Sequence, residues 1–442
     1  MEKSNQAAPN DARKGSVVPL ETSIREELDS LSPLSSDCCI YKIPDRLRRV
    51  NERAYIPDVV SIGPLNHGNE ALKAMEEHKL RYLQYFLHRT NVSLEDYIKK
   101  IRDREEKLRS CYAEPIKFSS DEFVRIILVD AAFVLELLLR DFKHLKQEGD
   151  RILNKPYMLL DVVPDLLKVE NQLPFFILED IFDLEIIDSP SSGNNTSGGL
   201  SIFNIIEAFL GQLGWDNDKW KIISSSSSKV EHFVHLIRTL CLPLESNFQT
   251  ERRQLIDTVK IPTLTELHQA GVKLKVRSGK NLVDIQFADG ILEIPKILLS
   301  TTHLWILENL VAFEQCHCIY DNYINDYVNI MGRFVSTPKD VELLVEYGIL
   351  DTHYNASEAS SMITQLASKP IRFLHVFYYG TLCEDLNKYY RSSWNKWKAN
   401  LRQNYFNTPW ASISVFAAVV LLLLALIQTV CSVISASPSK HE

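Results

Sequence analysis

Two stretches of the sequence place carboxylates and amides side by side among apolar residues, and these groups could support acid–base chemistry. One stretch is residues 170–172, and the other spans residues 304–316. Paired glutamates can serve as general acid and base when burial separates their pKa values. Buried amides and carboxylates also build structural networks that join two helices, and we favour this second interpretation. The predicted structural polar network comprises Glu170, Asn171, Gln172, Glu308, Asn309, Glu314 and Gln315.

Histidines and cysteines form two short patterns that resemble metal sites. Cys316, His317 and Cys318 are too close along the chain to reach one tetrahedral ion easily, and no second cysteine pair completes the set. His232 and His235 could share a helix face but lack a matching pair of carboxylates. We interpret the first group as buried thiols and the second as residues of a helix surface or core edge. We therefore predict no metal site.

Common catalytic and cofactor-binding motifs are missing from the sequence. It contains no glycine-rich phosphate loop, no Gly-x-Ser-x-Gly elbow and no His-Glu-x-x-His zinc motif. We predict no catalytic residue, no cofactor-binding residue and no cofactor, and hence a protein that is not an enzyme.

Composition indicates a folded protein that does not bind nucleic acid. The 442 residues are 45% hydrophobic and 10% aromatic, enough for one large core or two modest ones. The formal net charge of −8 argues against a general nucleic-acid binder, which normally carries a basic face. The eight cysteines have no disulfide-framework spacing, so we interpret them as mostly reduced and buried.

The pattern of apolar and low-complexity segments predicts the domain organisation. Residues 1–36 are polar and without periodicity, which favours a disordered N-terminal tail. Residues 37–405 are expected to form one mainly helical domain. Residues 189–199, rich in serine, glycine and asparagine, and the five serines 224–228 are predicted to be flexible insertions in that domain.

Capping residues mark several helices. Ser93 is expected to start a helix whose apolar period continues to Tyr112, and Ser119 with Glu122 predicts a second helix start. Thr337-Pro338 predicts a third start, and Gly348 its end. Between about 272 and 294 the residues alternate in polarity around an Asp289-Gly290 turn, which predicts a small antiparallel β element.

The carboxyl-terminal residues predict one transmembrane helix. Residues 403–439 contain no charged side chain, and the apolar run 413–433 matches the ~20 residues that span a bilayer core. We therefore predict a transmembrane helix over residues 410–433 and a short tail over 434–442. Basic residues cluster before the run, and the N-terminus has no signal-peptide pattern. These features predict a tail-anchored, single-pass protein that faces the cytosol and contacts membrane lipid, in the plasma membrane or an endomembrane.

Several blocks of the sequence, in a fixed order, resemble the plant family called domain of unknown function 247. The blocks include residues 40–48, 54–57, 59–64, 130–136, 170–174 and 309–316, and the similarity covers about residues 40–428. The resemblance implies a land-plant protein that is largely helical and has a C-terminal membrane helix. It implies no established catalytic residue. Some grass members are implicated in self-incompatibility, which makes cell recognition a role that the resemblance suggests.

Two functions from different classes fit these observations. The first is a membrane-anchored recognition or signalling adaptor that binds an unidentified protein partner. The alternative is an enzyme at a membrane surface with Glu170 or Glu314 as acid or base. A structural protein is a third reading. Convergence of two carboxylates in a deep pocket would favour the enzyme.

Overall fold

The computed structural model describes the chain in segments that cover most of it. The described residues are 20–29, 35–90, 92–145, 149–182, 201–212, 219–225, 230–242, 261–279, 281–318, 321–369, 377–392 and 409–436. The predicted insertion 189–199 and residues 226–228 of the serine run lie outside them.

Helices dominate the N-terminal half. They are α1 (Leu20–Asp29), α2 (Asp45–Arg48), α3 (Lys73–Thr90), α4 (Leu94–Arg102), α5 (Glu105–Ser110), α6 (Ser120–Phe142), α7 (Pro156–Leu166) and α8 (Phe175–Ile181). Two 3₁₀ turns, Glu52–Ala54 and Glu70–Leu72, precede α3. Next come α9 (Ile202–Gln212), α10 (Trp220–Ser225) and α11 (Phe233–Cys241).

The C-terminal half contains the remaining helices and all the strands that the structure describes. The helices are α12 (Leu264–Gln269), α13 (Thr301–His317), α14 (Tyr323–Phe334), α15 (Pro338–Glu346), α16 (Ala356–Ala367), α17 (Gly380–Arg391) and α18 (Pro409–Ala436). The strands are β1 (Lys273–Arg277), β2 (Gln286–Ala288), β3 (Ile291–Pro295), β4 (Ile297–Leu299) and β5 (Leu350–Thr352). The prediction of a mainly helical fold is confirmed.

Helix α6 forms the centre of the first half. The Ser119 hydroxyl accepts a hydrogen bond from the Glu122 amide and starts the helix where the sequence predicts. Residues 126–140 of α6 are buried, and α3, α4, α8 and α9 pack around them. Asp130, Glu136 and Arg140 are therefore buried charges in a helix that is otherwise apolar, and each must find a partner in the interior.

The other capping predictions agree with the structure except at one helix end. Ser93 caps α4, and Thr337 forms a capping box with Asp340 at the start of α15. Gly348 follows α15 with a φ of +68°, a conformation that favours glycine. The predicted helix from Ser93 to Tyr112 is split, however, because α4 ends at Arg102 and α5 begins at Glu105.

The predicted antiparallel element is a mixed sheet with the strand order β1-β3-β2. Strands β2 and β3 are antiparallel and joined at Asp289-Gly290 as predicted, but β1 pairs with β3 in parallel. The chain leaving β1 passes to the far edge of the sheet and returns through the hairpin into the middle. Alternating polarity fixes which residues face the core and leaves strand order and direction open. A second, parallel pair joins β4 to β5.

The prediction of a membrane anchor is corrected by the structure. A membrane-spanning helix needs about 20 continuous apolar residues. Among the residues that the structure describes, none of the helices combines the length and the apolar character needed to cross a bilayer. The predicted transmembrane helix over 410–433, the single-pass membrane location and the binding of membrane lipid through that helix are therefore wrong.

Candidate functional site

The predicted network residues bond mainly to an irregular stretch of chain, residues 40–66, which we call the N-terminal segment. Glu170 lies between α7 and α8, and its side chain is 4% exposed. Its carboxylate accepts a hydrogen bond from the Ile43 amide at 2.5 Å and forms an ion pair with Arg48. The Glu170 carbonyl oxygen accepts a further bond from the Asn66 side chain at 2.9 Å. Glu170 thus holds both ends of the N-terminal segment.

Asn171 bonds to the backbone of residues 60 and 62 of the same segment, in the way that a neighbouring strand would. Its Oδ1 accepts a hydrogen bond from the Ile62 amide at 2.8 Å, and its Nδ2 donates to the Val60 carbonyl at 2.9 Å. Gln172 instead donates from Nε2 to the carbonyl oxygens of Leu166 and Lys168, where α7 ends. Both amides therefore satisfy buried backbone groups, which are costly to leave unpaired.

Glu308 and Asn309 on α13 contact the N-terminal segment from the other side. Glu308 accepts a hydrogen bond from Asn51 at 2.8 Å and pairs with Lys369 at 2.6 Å. Burial raises the pKa of Glu308, and the Lys369 ammonium opposes that rise. Asn309 donates to the Ala54 carbonyl at 2.7 Å and accepts from the Val169 amide at 3.0 Å.

Glu314 is fully buried and makes four polar contacts. Its Oε1 accepts from Arg238 Nε at 2.9 Å and from the Ile324 amide at 3.2 Å. Its Oε2 accepts from the amide and the side chain of Asn325, both at 2.9 Å. Burial raises the pKa of Glu314, while Arg238 and the Asn325 donors oppose the rise. This carboxylate connects α11, α13 and the start of α14.

Gln315 completes the set of predicted network residues. Its Oε1 accepts from Arg46 at 2.7 Å, and its Nε2 donates to Asn325 Oδ1 at 2.9 Å. The two glutamates considered for acid–base chemistry have different cationic partners. Glu170 pairs with Arg48, and Glu314 pairs with Arg238. The structure does not bring the two glutamates to one shared partner.

Further charged residues of this network were missed by the sequence reasoning. The Asp165 carboxylate accepts the amides of residues 58–60 at 2.8 to 2.9 Å from the nearest oxygen. Asp130 accepts the Gly63 amide at 2.8 Å and pairs with Lys79 at 2.5 Å. Lys168 pairs with Asp58 at 2.7 Å. Asp130 could have been recognised from the sequence, because it is a charged residue within the mostly apolar run of α6.

Side chains therefore bond to the backbone groups of the N-terminal segment. In a β-sheet, a neighbouring strand would make these bonds. The cavity beside Asn171 and Gln172 has a volume of about 10 Å³, roughly the space of one water molecule. A substrate does not fit there. These contacts fix the position of the N-terminal segment, and the Glu170 carboxylate is already bonded to the Ile43 amide and to Arg48.

The two histidine patterns meet in a separate cluster beside the first residues of the N-terminal segment. His232 is buried and caps α11, since its Nδ1 accepts the His235 amide at 3.3 Å. Its Nε2 lies 3.1 Å from the Cys39 carbonyl. His317 Nδ1 lies 3.0 Å from the Tyr41 hydroxyl, and its ring stacks on Phe313.

The protonation states in this cluster follow from burial. Burial and the nearby His235 lower the pKa of His232, and burial with Arg238 lowers that of His235 to about 4. Both rings are thus neutral at pH 7. A hydrogen bond to Cys111, together with burial, raises the pKa of Cys39. Cys39 is consequently a thiol at neutral pH and a poor nucleophile.

One potential metal-ligand group exists among the described residues. The side-chain ligand atoms of Cys39, Glu231 and His232 all lie within 4.8 Å of one another. Cys316 and Cys318 are not part of this group. Sequence reasoning missed the group because Cys39 is far from the other two residues along the chain, and spacing-based patterns require neighbouring ligands.

Comparison with known proteins places this fold in a plant family. The chain is 26% identical to a UPF0481 protein of Arabidopsis thaliana over 423 residues, which cover 90% of the chain and 87% of that relative. A second UPF0481 protein of the same plant is 21% identical over 501 residues, covering 93% of each chain. No solved structure matches. The family model described as plant protein of unknown function matches residues 40–424, and the chain belongs to this family, domain of unknown function 247.

Proposed function

We propose that this plant protein acts by recognising and binding another protein and carries out no reaction of its own. The observation that supports this proposal is that the buried carboxylates already form structural bonds. Glu170 and Glu314, the two residues with the best case for acid–base chemistry, each bond to a cation and to backbone amides. A carboxylate that already accepts these bonds is a structural element, so the function is expected at the surface.

A groove between the β2–β3 turn and α17 is the surface that best fits a partner. Its volume is about 440 Å³. The lining residues are Phe287, Ala288, Asp289, Gly290, Asp385, Lys388, Tyr389 and Ser392. The rings of Phe287 and Tyr389 meet edge to face, with centroids 5.5 Å apart. Aromatic residues within a polar rim are typical of protein interfaces.

The turn at one side of the groove is tight and packs against α17. Asp289 and Gly290 have φ angles of +52° and +76°, as a tight hairpin turn requires. A Cβ atom on Gly290 would lie 2.8 Å from the Tyr389 hydroxyl oxygen, so the turn and α17 are in close contact. A preformed surface loses little conformational entropy on binding, which favours affinity.

The charges around the groove indicate the chemistry of the partner. Asp289 and Asp385 are exposed acidic residues, and Lys388 is the basic residue of the lining. We propose that the groove accepts a protein segment that places an apolar side chain on Phe287 and Tyr389 and a basic side chain near Asp385. The excess of acidic groups makes a basic segment a better fit than an acidic one.

Site-specific photocrosslinking tests this proposal. A photoreactive amino acid is placed at position 392 of the full chain, at the edge of the groove, and the protein is irradiated in plant extract. The expected result is a discrete adduct with one protein, and Lys388→Glu on the same chain should raise its yield severalfold because it makes the groove more acidic for a basic segment. Mass spectrometry identifies the adduct.

The matched control carries the photoreactive residue at Lys339, which is exposed on α15 away from the groove lining. Position 339 should give no adduct with the same protein. Equal labelling from positions 339 and 392, or labelling of chaperones alone, would contradict the proposed groove.

A further inference from the structure

Two thiols from distant parts of the sequence meet at the start of the N-terminal segment. Cys39 precedes α2, and Cys111 directly follows α5. Each side chain is buried, and each is a free thiol in the structure. We propose that Cys39 and Cys111 form a reversible disulfide within the chain. This covalent modification would lock the start of the N-terminal segment to the end of α5.

Backbone pairing places the two cysteines opposite each other. Ile40 and Tyr112 form a parallel β-bridge. Cys39 and Cys111 stand one position earlier on each chain and are therefore in the same register. The amides of Cys39 and Ile40 both donate to the Cys111 carbonyl, at 3.0 and 2.9 Å. Paired strands lie about 4.8 Å apart, which is within the ~4.4–6.8 Å between Cα atoms that a disulfide spans.

The two side chains are already in contact. The thiols of Cys39 and Cys111 are hydrogen-bonded to each other. The Cys111 thiol donates its own proton to the Lys107 carbonyl at 3.2 Å, so its sulfur accepts from Cys39. Rotation of the two side chains is enough to bring the sulfur atoms to bonding distance, because the backbone is already at disulfide spacing.

Hydrogen peroxide is the oxidant that we assign to this reaction. One thiol takes an oxygen atom from the peroxide and becomes a sulfenic acid, and the other oxygen leaves as water. The sulfur of the second thiol then attacks the sulfenic sulfur. The S–S bond forms, the S–O bond breaks, and the oxygen leaves as water with the proton of the second thiol. Two thiols thus lose two electrons, and the peroxide gains them. Glutathione reverses the reaction by thiol–disulfide exchange.

Burial connects the reaction to opening of the segment start. Neither thiol faces solvent, so the oxidant reaches them when the chain around residues 38–41 opens locally. Opening also returns Cys39 to water, where a cysteine has its ordinary acidity and the reactive thiolate forms. The disulfide is buried again when the chain closes, which shields it from reductants. The redox state of the pair would therefore determine how easily the N-terminal segment leaves the helices.

Peptide mapping of the full chain tests the disulfide. The reduced protein is incubated with hydrogen peroxide, the remaining free thiols are blocked in denaturant, and the digest is analysed without reductant. The expected product is a pair of peptides that joins Cys39 to Cys111 and that glutathione separates. Urea unfolding should give the linked protein a folding equilibrium constant roughly 30- to 1,000-fold larger than that of the reduced protein.

The matched control is Cys38→Ser, which removes the neighbouring, half-exposed thiol and should leave the link and its stabilising effect intact. Cys39→Ser should abolish the link. If Cys39→Ser does not fold, Cys38→Ser decides, because a link in that variant can involve position 39 and not position 38. Three results would each overturn the proposal. They are a link from Cys111 to Cys38 alone, no link at Cys111 after prolonged oxidation, or equal stability of the linked and reduced proteins.

Discussion

Replacement of Glu314 by glutamine should lower the free energy of unfolding by about 3–5 kcal/mol, the usual result of breaking a buried ion pair. Glutamine keeps one acceptor oxygen, so its amide nitrogen must face donors, either Arg238 and the Ile324 amide or the two Asn325 donors. The buried Arg238 guanidinium also loses its counter-charge. Urea unfolding of the purified variant measures the loss.

Two further variants show whether this effect belongs to the ion pair. Glu342→Gln changes an exposed glutamate on α15 and should stay within about 0.5 kcal/mol of the wild type. The double variant Arg238→Met/Glu314→Gln should lose less than the sum of the single variants, because the two groups are coupled. A Glu314→Gln protein of unchanged stability that loses a measurable turnover would instead favour the enzyme hypothesis.

Replacement of Lys79 by methionine should also cost about 3–5 kcal/mol, because it leaves a buried carboxylate without its cation. Lys79 and Asp130 are 0% and 1% exposed, and their charged atoms lie 2.5 Å apart. Lys79 Nζ also donates to the Ser61 carbonyl in the N-terminal segment at 2.9 Å. Methionine has a similar length, so the change tests charge and hydrogen bonding more than volume. Urea unfolding at pH 7 gives the difference.

The effect of Lys79→Met should depend on pH in a defined direction. Burial already raises the pKa of Asp130, and loss of the ammonium removes the main group that opposes this rise. A carboxyl whose folded-state pKa exceeds its unfolded value destabilises the fold increasingly as pH rises through that range. The stability deficit should therefore be larger at pH 7 than at pH 4. Lys73→Met, an exposed position on the same helix, should have little effect at either pH. Equal losses from the two lysine variants would contradict the account.

Local sequence patterns predicted where helices start better than they predicted which elements pack together. Ser93, Ser119 and Thr337 identified helix starts correctly, because capping depends on residues three positions apart. The strand order β1-β3-β2 was not predictable, since period-2 alternation carries no information about neighbours. The transmembrane helix was inferred from apolar content alone, and the described structure does not support it.

The residue types indicated which side chains would form a polar network. They did not indicate which groups those side chains bond. Glu170 and Asn309 were expected to join two helices, whereas both bond the backbone of the N-terminal segment. Asn309 and Ala54 are 255 positions apart, and irregular backbone has no sequence period that could reveal such a pairing. Cys39 and His232 are likewise remote in sequence, 193 positions apart, yet they are in contact. Their proximity depends on the whole fold.

Amide hydrogen exchange in residues 40–66 tests the central claim, which is that buried side chains hold this irregular segment against the helices. In the wild type, peptides covering residues 58–63 should exchange nearly as slowly as those from α6, because the amides of residues 58–60, 62 and 63 are bonded to buried carboxylates and an amide. In Asp165→Ala the amides of residues 58–60 should exchange much faster while α15 is unchanged. Fast exchange of residues 58–63 in the wild type would contradict the claim.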